Sequence, residues 1–470
     1  MSVIPQQQIG EKIFTQEDQQ FFAALSGDSN PMHLDAVYAR KIFDGKPVVH
    51  GMHLLLWALE FCLRRHALAL VALRGDFSQP VFVGDRVQFF EEVLADGTRV
   101  LRVAVNDMNC ARFRLQSTDV TASAASAGAG HSVADNSFVD NSFVDKVSPF
   151  GAVHKSLGPE IPAALCAISR YVGMVCPGLH SLLATLELKF AAVPTSAATR
   201  FAVAHYDERF RMYTLAVEGP CSGTVRAMDR KPPPLQASVQ QLAMQVNPQE
   251  FAGTRSLVIG GSRGLGAWTA RALVAGGGAV IITYAQGHRE AQDLCDELNH
   301  FRAGTCQLRH WEVQEAPANF LSTAELTSLS HIYFYATPRI FRRRSAAFKQ
   351  SLYEEFVACY VTALQRLLDW VEANSQRPVT VFAPSSVAVE DTPAELQEYA
   401  AAKRRMEEAV AQINRACHRV RVLTARLPRL DTDQTSALAE AATASMDEVM
   451  WPLLRAVQRG DLPQREAAPA

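Results

Sequence analysis

The sequence predicts two fold classes in one chain. An α+β region, in which antiparallel strands wrap a helix, is followed by an α/β region with a doubly wound parallel sheet. In the first quarter of the chain, an apolar run with helical spacing precedes alternating strands and an Asp96–Gly97 turn. In the last half, a glycine-rich loop separates a strand from a helix, and further strands alternate with helices.

Composition bounds the class of protein. The chain of 470 residues is long enough for two or three domains. Its formal net charge of -2 favours neither nucleic acid nor an anionic membrane as a partner. The 9 cysteines are scattered without a CxxC pair, which indicates free thiols in a reducing compartment and no metal site. There is no apolar signal segment and no run of membrane-spanning length, so we expect a cytoplasmic protein.

The first candidate site lies in residues 25–53. Asp28 and His33 stand in a polar, turn-prone loop that also contains Asn30. Gly51 then opens an apolar run whose leucines recur at helical spacing, which predicts a buried helix. The first N–H groups of a helix have no partner within it, so this helix start could hold a developing oxyanion. Taken alone, such an Asp and His are more often a helix cap and a surface side chain.

Over residues 1–116 the chain resembles the MaoC-like (R)-specific enoyl-CoA hydratases and dehydratases of the hotdog fold. The motif SGDxNPxH of that family stands here as Ser26–His33, and its HGM stands as His50–Met52. The resemblance implies that Asp28 and His33 act on the water and the α-proton. It also implies that the Gly51 amide polarises the thioester carbonyl.

A second α+β unit is predicted over residues 148–230, after a Ser-, Ala- and Gly-rich linker at 117–147. The run VCPGLHSLLATLEL, which begins at Val175, aligns with VHGMHLLLWALEF and so predicts a repeat of the central helix. At the offset of the acid–base pair this unit has Lys155 and Glu160. We therefore expect a double hotdog whose second copy has lost the pair and shapes the acyl tunnel.

Residues 231–250 predict a proline-rich linker and a short helix, and residues 251–470 begin with a nucleotide-binding pattern. The run RSLVIGGSRGLGAWTARALVAGGGAVIITY predicts a strand, a glycine loop, a helix and a second strand. The second strand ends without a carboxylate for an adenine ribose, and an arginine lies beside the loop, which together favour NADPH over NADH. The predicted cofactor site at the helix N-terminus comprises Gly260, Ser262, Arg263, Gly264, Leu265 and Gly266.

Over about residues 255–430 the chain resembles the short-chain dehydrogenase/reductases, whose Ser and YxxxK pattern is met by Ser386, Tyr399 and Lys403. The resemblance implies that Tyr399 gives a proton to the carbonyl oxygen while Ser386 orients the carbonyl. It also implies that Lys403 lowers the pKa of Tyr399, and that Tyr399 and Lys403 contact the nicotinamide ribose.

Two departures from this family concern the proton relay. The NNAG segment reads Tyr335–Pro338, and Cys359 or Tyr360 replaces an asparagine on the next helix. The missing asparagine weakens the expected relay.

A basic cluster follows the fourth strand of this domain at Arg339, Arg342, Arg343 and Arg344. It could receive an acidic acyl carrier protein or the phosphates of coenzyme A. A solvated helix face is the simpler interpretation.

The two resemblances together predict a bifunctional enzyme of fatty-acyl or polyketide-type thioesters. The α/β domain would reduce 3-oxoacyl thioesters with NADPH, and the first hotdog would interconvert 3-hydroxyacyl and trans-2-enoyl thioesters in either direction. The acyl group would be carried by coenzyme A or an acyl carrier protein, and the chain would form a homodimer or homotetramer. The alternatives are a hydratase with a non-catalytic nucleotide-binding scaffold, a reductase of a non-thioester ketone with hotdogs as a docking platform, and a hotdog thioesterase.

Overall fold

The computed structural model describes residues 4–40, 46–119, 149–190, 198–230, 232, 235–340, 347–432 and 443–461. The chain divides into two compact units, Met1–Pro232 (unit 1) and Pro233–Ala470 (unit 2). Within the described ranges, no helix is both long and apolar enough to span a membrane.

One antiparallel sheet organises the described part of unit 1. Its nine strands are β1 (Ile4–Ile13), β2 (Leu68–Phe77), β3 (Arg86–Val93), β4 (Arg99–Val105), β5 (Met108–Asp119), β6 (Ser181–Phe190), β7 (Arg200–Asp207), β8 (Met212–Glu218) and β9 (Cys221–Asp229). They lie in the order β1-β3-β4-β5-β2-β6-β9-β8-β7. We call residues 4–119 the first half and residues 149–229 the second half. The pairing of β2 with β6 joins the two halves in one sheet.

The helices of the first half carry the predicted local signals. They are α1 (Gln16–Ser26), α2 (Pro31–Leu34), α3 (Ala36–Arg40) and α4 (Gly51–Leu63). A capping box between Thr15 and Asp18 starts α1, and Gly27 ends it in the left-handed region. Helix α4 is the predicted apolar helix, and its leucines are buried in the core of unit 1.

The second half has two helices, α5 (Gly151–Leu157) and α6 (Glu160–Met174). The start of α5 is bound to the first half, because the Glu60 carboxylate accepts the N–H groups of Ala152 at 3.2 Å and Val153 at 3.0 Å. Glu60 is only 1% exposed and also accepts from Arg64 at 2.8 Å. A buried carboxylate of α4 therefore caps a helix that lies about 90 residues further along the chain.

The predicted repeat of the central helix at residues 175–188 is wrong. That run makes a turn at Gly178, where φ is +91°, and then forms β6. A short apolar run fits helical and strand spacing equally well, and here pairing with β2 and β9 decides for a strand. Lys155 lies in α5 and Glu160 starts α6, so neither stands at the counterpart position of Asp28 or His33.

Unit 2 contains the predicted parallel sheet, which confirms that part of the fold class. Its strands are β10 (Arg255–Ile259), β11 (Ala279–Tyr284), β12 (Cys306–His310), β13 (His331–Phe334), β14 (Val379–Phe382), β15 (Ser385–Ser386), β16 (Val420–Leu423) and β17 (Arg426–Leu427). Six of them pair in parallel in the order β12-β11-β10-β13-β14-β16, and β15 pairs with β17. In such a sheet, ligands bind where the strand order reverses, which here is between β10 and β13.

Helices cover both faces of this sheet. They are α7 (Val239–Ala243), α8 (Gly264–Ala275), α9 (His288–Phe301), α10 (Thr323–Ser328), α11 (Gln350–Val357), α12 (Leu364–Asn374), α13 (Ala388–Asp391), α14 (Gln397–Ala416) and α15 (Met446–Arg459). The side chains of successive residues in β10 pack into different hydrophobic cores, one on each face of the sheet. Leu257 packs with residues of α12 and α14, whereas Val258 packs with residues of α8, α9 and α15.

Two predicted segments fall largely or partly outside the described residues. Strand β5 reaches Asp119, and the rest of the predicted linker at 117–147 is not among them. Of the basic cluster, Arg339 is described, whereas Arg342, Arg343 and Arg344 are not.

Candidate active sites

The predicted acid–base pair of unit 1 is held in a loop between α1 and α2. Ser26 Oγ accepts the N–H of Asp28 at 3.1 Å, which fixes the chain as it leaves α1. Asn30 caps α2 by accepting the N–H of Met32 at 3.2 Å, and His33 lies within that helix. Asp28 is 2% exposed and His33 is 4% exposed. The structure therefore brings the two side chains together in the interior.

The environment of His33 leaves one ring nitrogen available. Nδ1 lies 2.6 Å from the carbonyl oxygen of Val48, which can only accept, so Nδ1 carries the proton. Nε2 then has a free lone pair and can accept a proton. Burial lowers the pKa of His33 and the nearby Asp28 opposes this effect, so the ring stays neutral to more acidic pH than an exposed histidine does.

The second half holds the Asp28 carboxylate. Ser169 of α6 donates a hydrogen bond from Oγ to Asp28 Oδ2 at 2.7 Å, and the N–H of Asn30 donates to Oδ1 at 3.3 Å. A Cβ at Gly173 of α6 would lie 2.3 Å from Asp28 Oδ1, so only glycine leaves room for the carboxylate. Asn30 Nδ2 also donates to the carbonyl oxygen of Gly173 at 3.0 Å. Sequence reasoning missed Ser169 and Gly173, because both are about 140 residues from the motif and no local pattern marks them.

His50 completes the cluster around the pair. Its ring stacks on that of His33, with centroids 3.7 Å apart, and its Nε2 lies 3.1 Å from the backbone oxygen of Asp28. One side-chain atom from each of Asp28, His33 and His50 lies within 4.8 Å of the others. Nδ1 of His33 is engaged in a hydrogen bond and each ring nitrogen of His50 lies within 3.1 Å of a protein oxygen, which suits acid–base chemistry better than metal ligation. The sequence motif contains His50 but gave no reason to single it out.

Gly51 is the first residue of α4, as predicted, and directly follows His50. Helix α4 thus begins beside the acid–base pair, where its first N–H groups have no partner within the helix. A Cβ at Gly51 would lie 3.0 Å from Leu183 of β6 and 3.2 Å from Phe77 of β2. These half-buried apolar side chains, one from each half, flank the helix start.

The glycine loop of unit 2 joins β10 to α8 at the point where the strand order reverses. Gly260 has a φ of +72°, and a Cβ there would lie 2.9 Å from the backbone nitrogen of Ala336. Gly266 is packed closely, since its Cβ would lie 2.2 Å from the Gly260 oxygen. Gly264 has a φ of +57°, and its Cβ would meet no described atom within 4 Å. Gly260 and Gly266 thus have no room for a side chain, whereas the space beside Gly264 is open. Such a loop at a helix N-terminus fits a pyrophosphate.

The remaining predicted cofactor residues belong to the same loop. Ser262 precedes Arg263, which is the N-cap of α8, and Leu265 lies in the first turn of that helix. Strand β11 ends at Tyr284, and Ala285 and Gln286 follow it without a carboxylate.

Ser386 and Tyr399 are brought close together, and Lys403 lies against the rings of Tyr360 and Tyr399. Burial raises the pKa of Tyr399 of α14 to about 12, and the nearby Ser386 of β15 opposes this shift. Lys403 Nζ donates to the carbonyl oxygen of Pro384 at 2.7 Å and lies 3.8 Å from the centroid of the Tyr360 ring. Burial lowers the pKa of Lys403 to about 8. Lys403 Nζ also lies 5.9 Å from the centroid of the Tyr399 ring.

Comparison with known proteins bears on the first half. Residues 5–110 match the model of the family described as MaoC like domain. Over 79 residues, or 16% of this chain, the sequence is 42% identical to the (R)-specific enoyl-CoA hydratase of Aeromonas caviae, and the match spans 58% of that enzyme's length. The resemblance predicted for this segment is thereby confirmed.

Two solved structures are similar to parts of the chain at low identity. One is a short-chain dehydrogenase from Burkholderia cenocepacia J2315 in complex with NADP. The two sequences are 18% identical, the match covers 44% of this chain and 91% of that chain, and the TM-score is 0.37. The other is a 3-oxoacyl (acyl-carrier-protein) reductase from Agrobacterium tumefaciens C58 with NADP bound, with 22% identity, 40% and 75% covered, and a TM-score of 0.33.

Proposed function

We propose that unit 1 adds water to trans-2-enoyl thioesters and removes it from 3-hydroxyacyl thioesters, and that unit 2 reduces 3-oxoacyl thioesters with NADPH. The observation that carries the proposal is the buried pair of Asp28 and His33, which lies beside the start of α4. A carboxylate and a neutral imidazole, kept from bulk water near unpaired helix N–H groups, are what water addition to an enoyl thioester requires.

The acid–base pair would act on both ends of the reacting bond. In hydration, a water molecule between Asp28 and His33 adds to C3, and the pair takes the proton that this water loses. The pair then gives a proton to C2, so that both side chains return to their starting states. The N–H of Gly51 would hold the thioester oxygen, where negative charge develops. Dehydration follows the same steps in reverse.

The second half would be a degenerate hotdog, so that unit 1 is a double hotdog. Its helix α6 lies against the Asp28 loop, and its sheet continues that of the first half through β6. The site would thus be shared, with the acid–base pair from one half and the support for the carboxylate from the other. Leu183 of β6 and Phe77 of β2 would border the acyl chain near Gly51.

In unit 2, Ser386 and Tyr399 would receive the carbonyl oxygen of the 3-oxoacyl group. Tyr399 would donate its proton to that oxygen, while Ser386 would orient the carbonyl. NADPH, bound along the Gly260–Gly266 loop, supplies the hydride. Arg263 beside the loop would bind the 2′-phosphate.

A second candidate function for unit 2 is nucleotide binding without reduction. Lys403 is held by Pro384 and by the face of Tyr360, which stands in the segment where the family has an asparagine. In this candidate the lysine would not assist Tyr399, whose pKa is raised by burial. Unit 2 would then serve as a scaffold for an active unit 1.

Separate assays of the two units test these proposals. The full chain is mixed with NADPH and an acetoacetyl thioester, or with a crotonyl thioester alone, on coenzyme A and on an acyl carrier protein. We expect Asp28→Asn to lose hydration but to keep NADPH oxidation, and Tyr399→Phe to do the opposite. A wild-type chain that hydrates crotonyl thioesters and binds NADPH without oxidising it supports the second candidate. A folded wild-type chain without hydration activity on either carrier contradicts the proposal for unit 1.

A further inference from the structure

We infer that His50 is a positioning residue that holds both members of the acid–base pair of unit 1 in their working arrangement. This inference rests on the proposed hydratase function. His50 is the N-cap of α4, yet its side chain makes no capping hydrogen bond. Its ring is instead turned toward the Asp28 loop.

His50 contacts Asp28 and His33 in two different ways. Nε2 lies 3.1 Å from the backbone oxygen of Asp28, which can only accept, so the tautomer of the neutral ring that carries its proton on Nε2 donates to Asp28. The ring face stacks on the His33 ring, with centroids 3.7 Å apart and planes 23° apart. The His50 side chain thus fixes two things: the position of the backbone that carries Asp28, and the orientation of the His33 ring.

His50 is itself fixed by α1. Gln19 Oε1 accepts the backbone N–H of His50 at 3.2 Å and lies 2.9 Å from its Nδ1. The other side of the ring packs on Phe22, with centroids 4.8 Å apart. Both Gln19 and His50 are fully buried. The ring is therefore contacted by Gln19 and Phe22 of α1 as well as by the acid–base pair, which restricts its orientation.

These contacts assign positioning, not proton transfer, to His50. Each ring nitrogen lies against a protein oxygen, at 2.9 Å for Nδ1 and 3.1 Å for Nε2, so neither is open to a substrate or a water molecule. Burial also holds the pKa of His50 well below its usual range, so the ring stays neutral beside His33. A neutral neighbour lets His33 accept a proton without repulsion from a second positive charge.

Paired substitutions separate the hydrogen bond from the ring. His50→Phe keeps a flat ring against His33 and removes the donor to Asp28, whereas His50→Gln restores a donor near the position of Nε2. We expect His50→Phe to lower kcat for crotonyl thioester hydration by about tenfold at nearly unchanged KM, the effect of one lost hydrogen bond. His50→Gln should recover most of that loss. His53→Phe is the matched control, because His53 is buried on the same helix and has no hydrogen bond to Asp28.

Several outcomes would overturn the inference. These are a His50→Phe chain with wild-type kcat, a His50→Gln chain as impaired as His50→Phe, or an equal loss of kcat in His53→Phe. Should His50→Phe fail to fold, Gln19→Met decides, since a several-fold lower kcat supports the inference and a wild-type kcat opposes it. Wild-type and Asp28→Asn chains run alongside keep the two proposals distinguishable. If the wild-type chain does not hydrate the crotonyl thioester, the proposed function fails. If the wild-type chain does hydrate it and His50→Phe has the same kcat, only this inference fails.

Discussion

Replacing Ser169 by alanine tests whether the second half takes part in the chemistry of the first. Ser169 Oγ donates to Asp28 Oδ2 at 2.7 Å, and the two residues are 7% and 2% exposed. Water has little access to replace a lost donor there. The substitution would therefore leave a buried carboxylate oxygen without this partner and free the side chain to turn.

The expected size follows from the strength of such a bond. A hydrogen bond to a charged group contributes about 1.5–3 kcal/mol. If that support is needed in the transition state, kcat/KM falls by about 10- to 100-fold, at roughly tenfold per 1.4 kcal/mol. The assay is the loss of enoyl absorbance when a crotonyl thioester is hydrated. Urea unfolding of the same chains reports whether the fold is preserved.

Two companion variants make this prediction decisive. Ser169→Thr keeps a hydroxyl and should retain most of the activity. Cys166→Ala removes a buried side chain one turn earlier in α6 that makes no hydrogen bond to Asp28, and should leave kcat/KM within about twofold. If Ser169→Ala hydrates at the wild-type rate, or if threonine is as poor as alanine, the assigned support of Asp28 is wrong.

Three further predictions concern buried groups of unit 1. Gly173→Ala places a Cβ 2.3 Å from Asp28 Oδ1 and should lower kcat/KM by more than about tenfold, because the carboxylate must move. A Gly173→Ala chain that hydrates at the wild-type rate would contradict the close packing of α6 on Asp28. Glu60→Gln weakens the cap on α5 and should lower the free energy of unfolding in urea by about 1–3 kcal/mol. The control is Glu187→Gln, where the side chain is 58% exposed and the free energy of unfolding should change by less than about 1 kcal/mol. The pKa of His53 falls from 6.5 to about 3 on folding, so below pH 6.5 the unfolded chain binds a proton that the folded chain does not. Stability should therefore fall as pH drops through this window, by up to about 1.4 kcal/mol per pH unit from this group, and His53→Phe should make the urea-derived slope shallower; an unchanged slope would refute the assignment.

Local signals in the sequence were sufficient for the acid–base loop and for α4. A turn-prone motif and an apolar run at helical spacing each encode structure within about ten residues, and both formed as expected. The pattern of a strand, a glycine loop and a helix likewise predicted the parallel sheet of unit 2. In these places no distant segment was needed to decide the local conformation.

Long-range pairing decided what the sequence could not. The run that forms β6 is apolar enough for either a helix or a strand, and its hydrogen-bonded pairing with β2 stabilises the strand. Ser169 and Gly173 gained their roles only because α6 packs against a loop far away in the chain. In unit 2, the spacing of Tyr399 and Lys403 placed them on one helix, but the neighbouring Tyr360 determined where the lysine ammonium lies.

The joining of β2 to β6 has a consequence for how the two halves can change over time. In an assembly of identical subunits, every substitution appears in each copy, so a residue that aids one site must be tolerated at its symmetry mate. Here the halves are parts of one polypeptide with separate codons. Ser169 and Gly173 could therefore become specialised for a single carboxylate, while the first half kept the acid and the imidazole. Covalent linkage thus permits a division of labour that exact symmetry forbids.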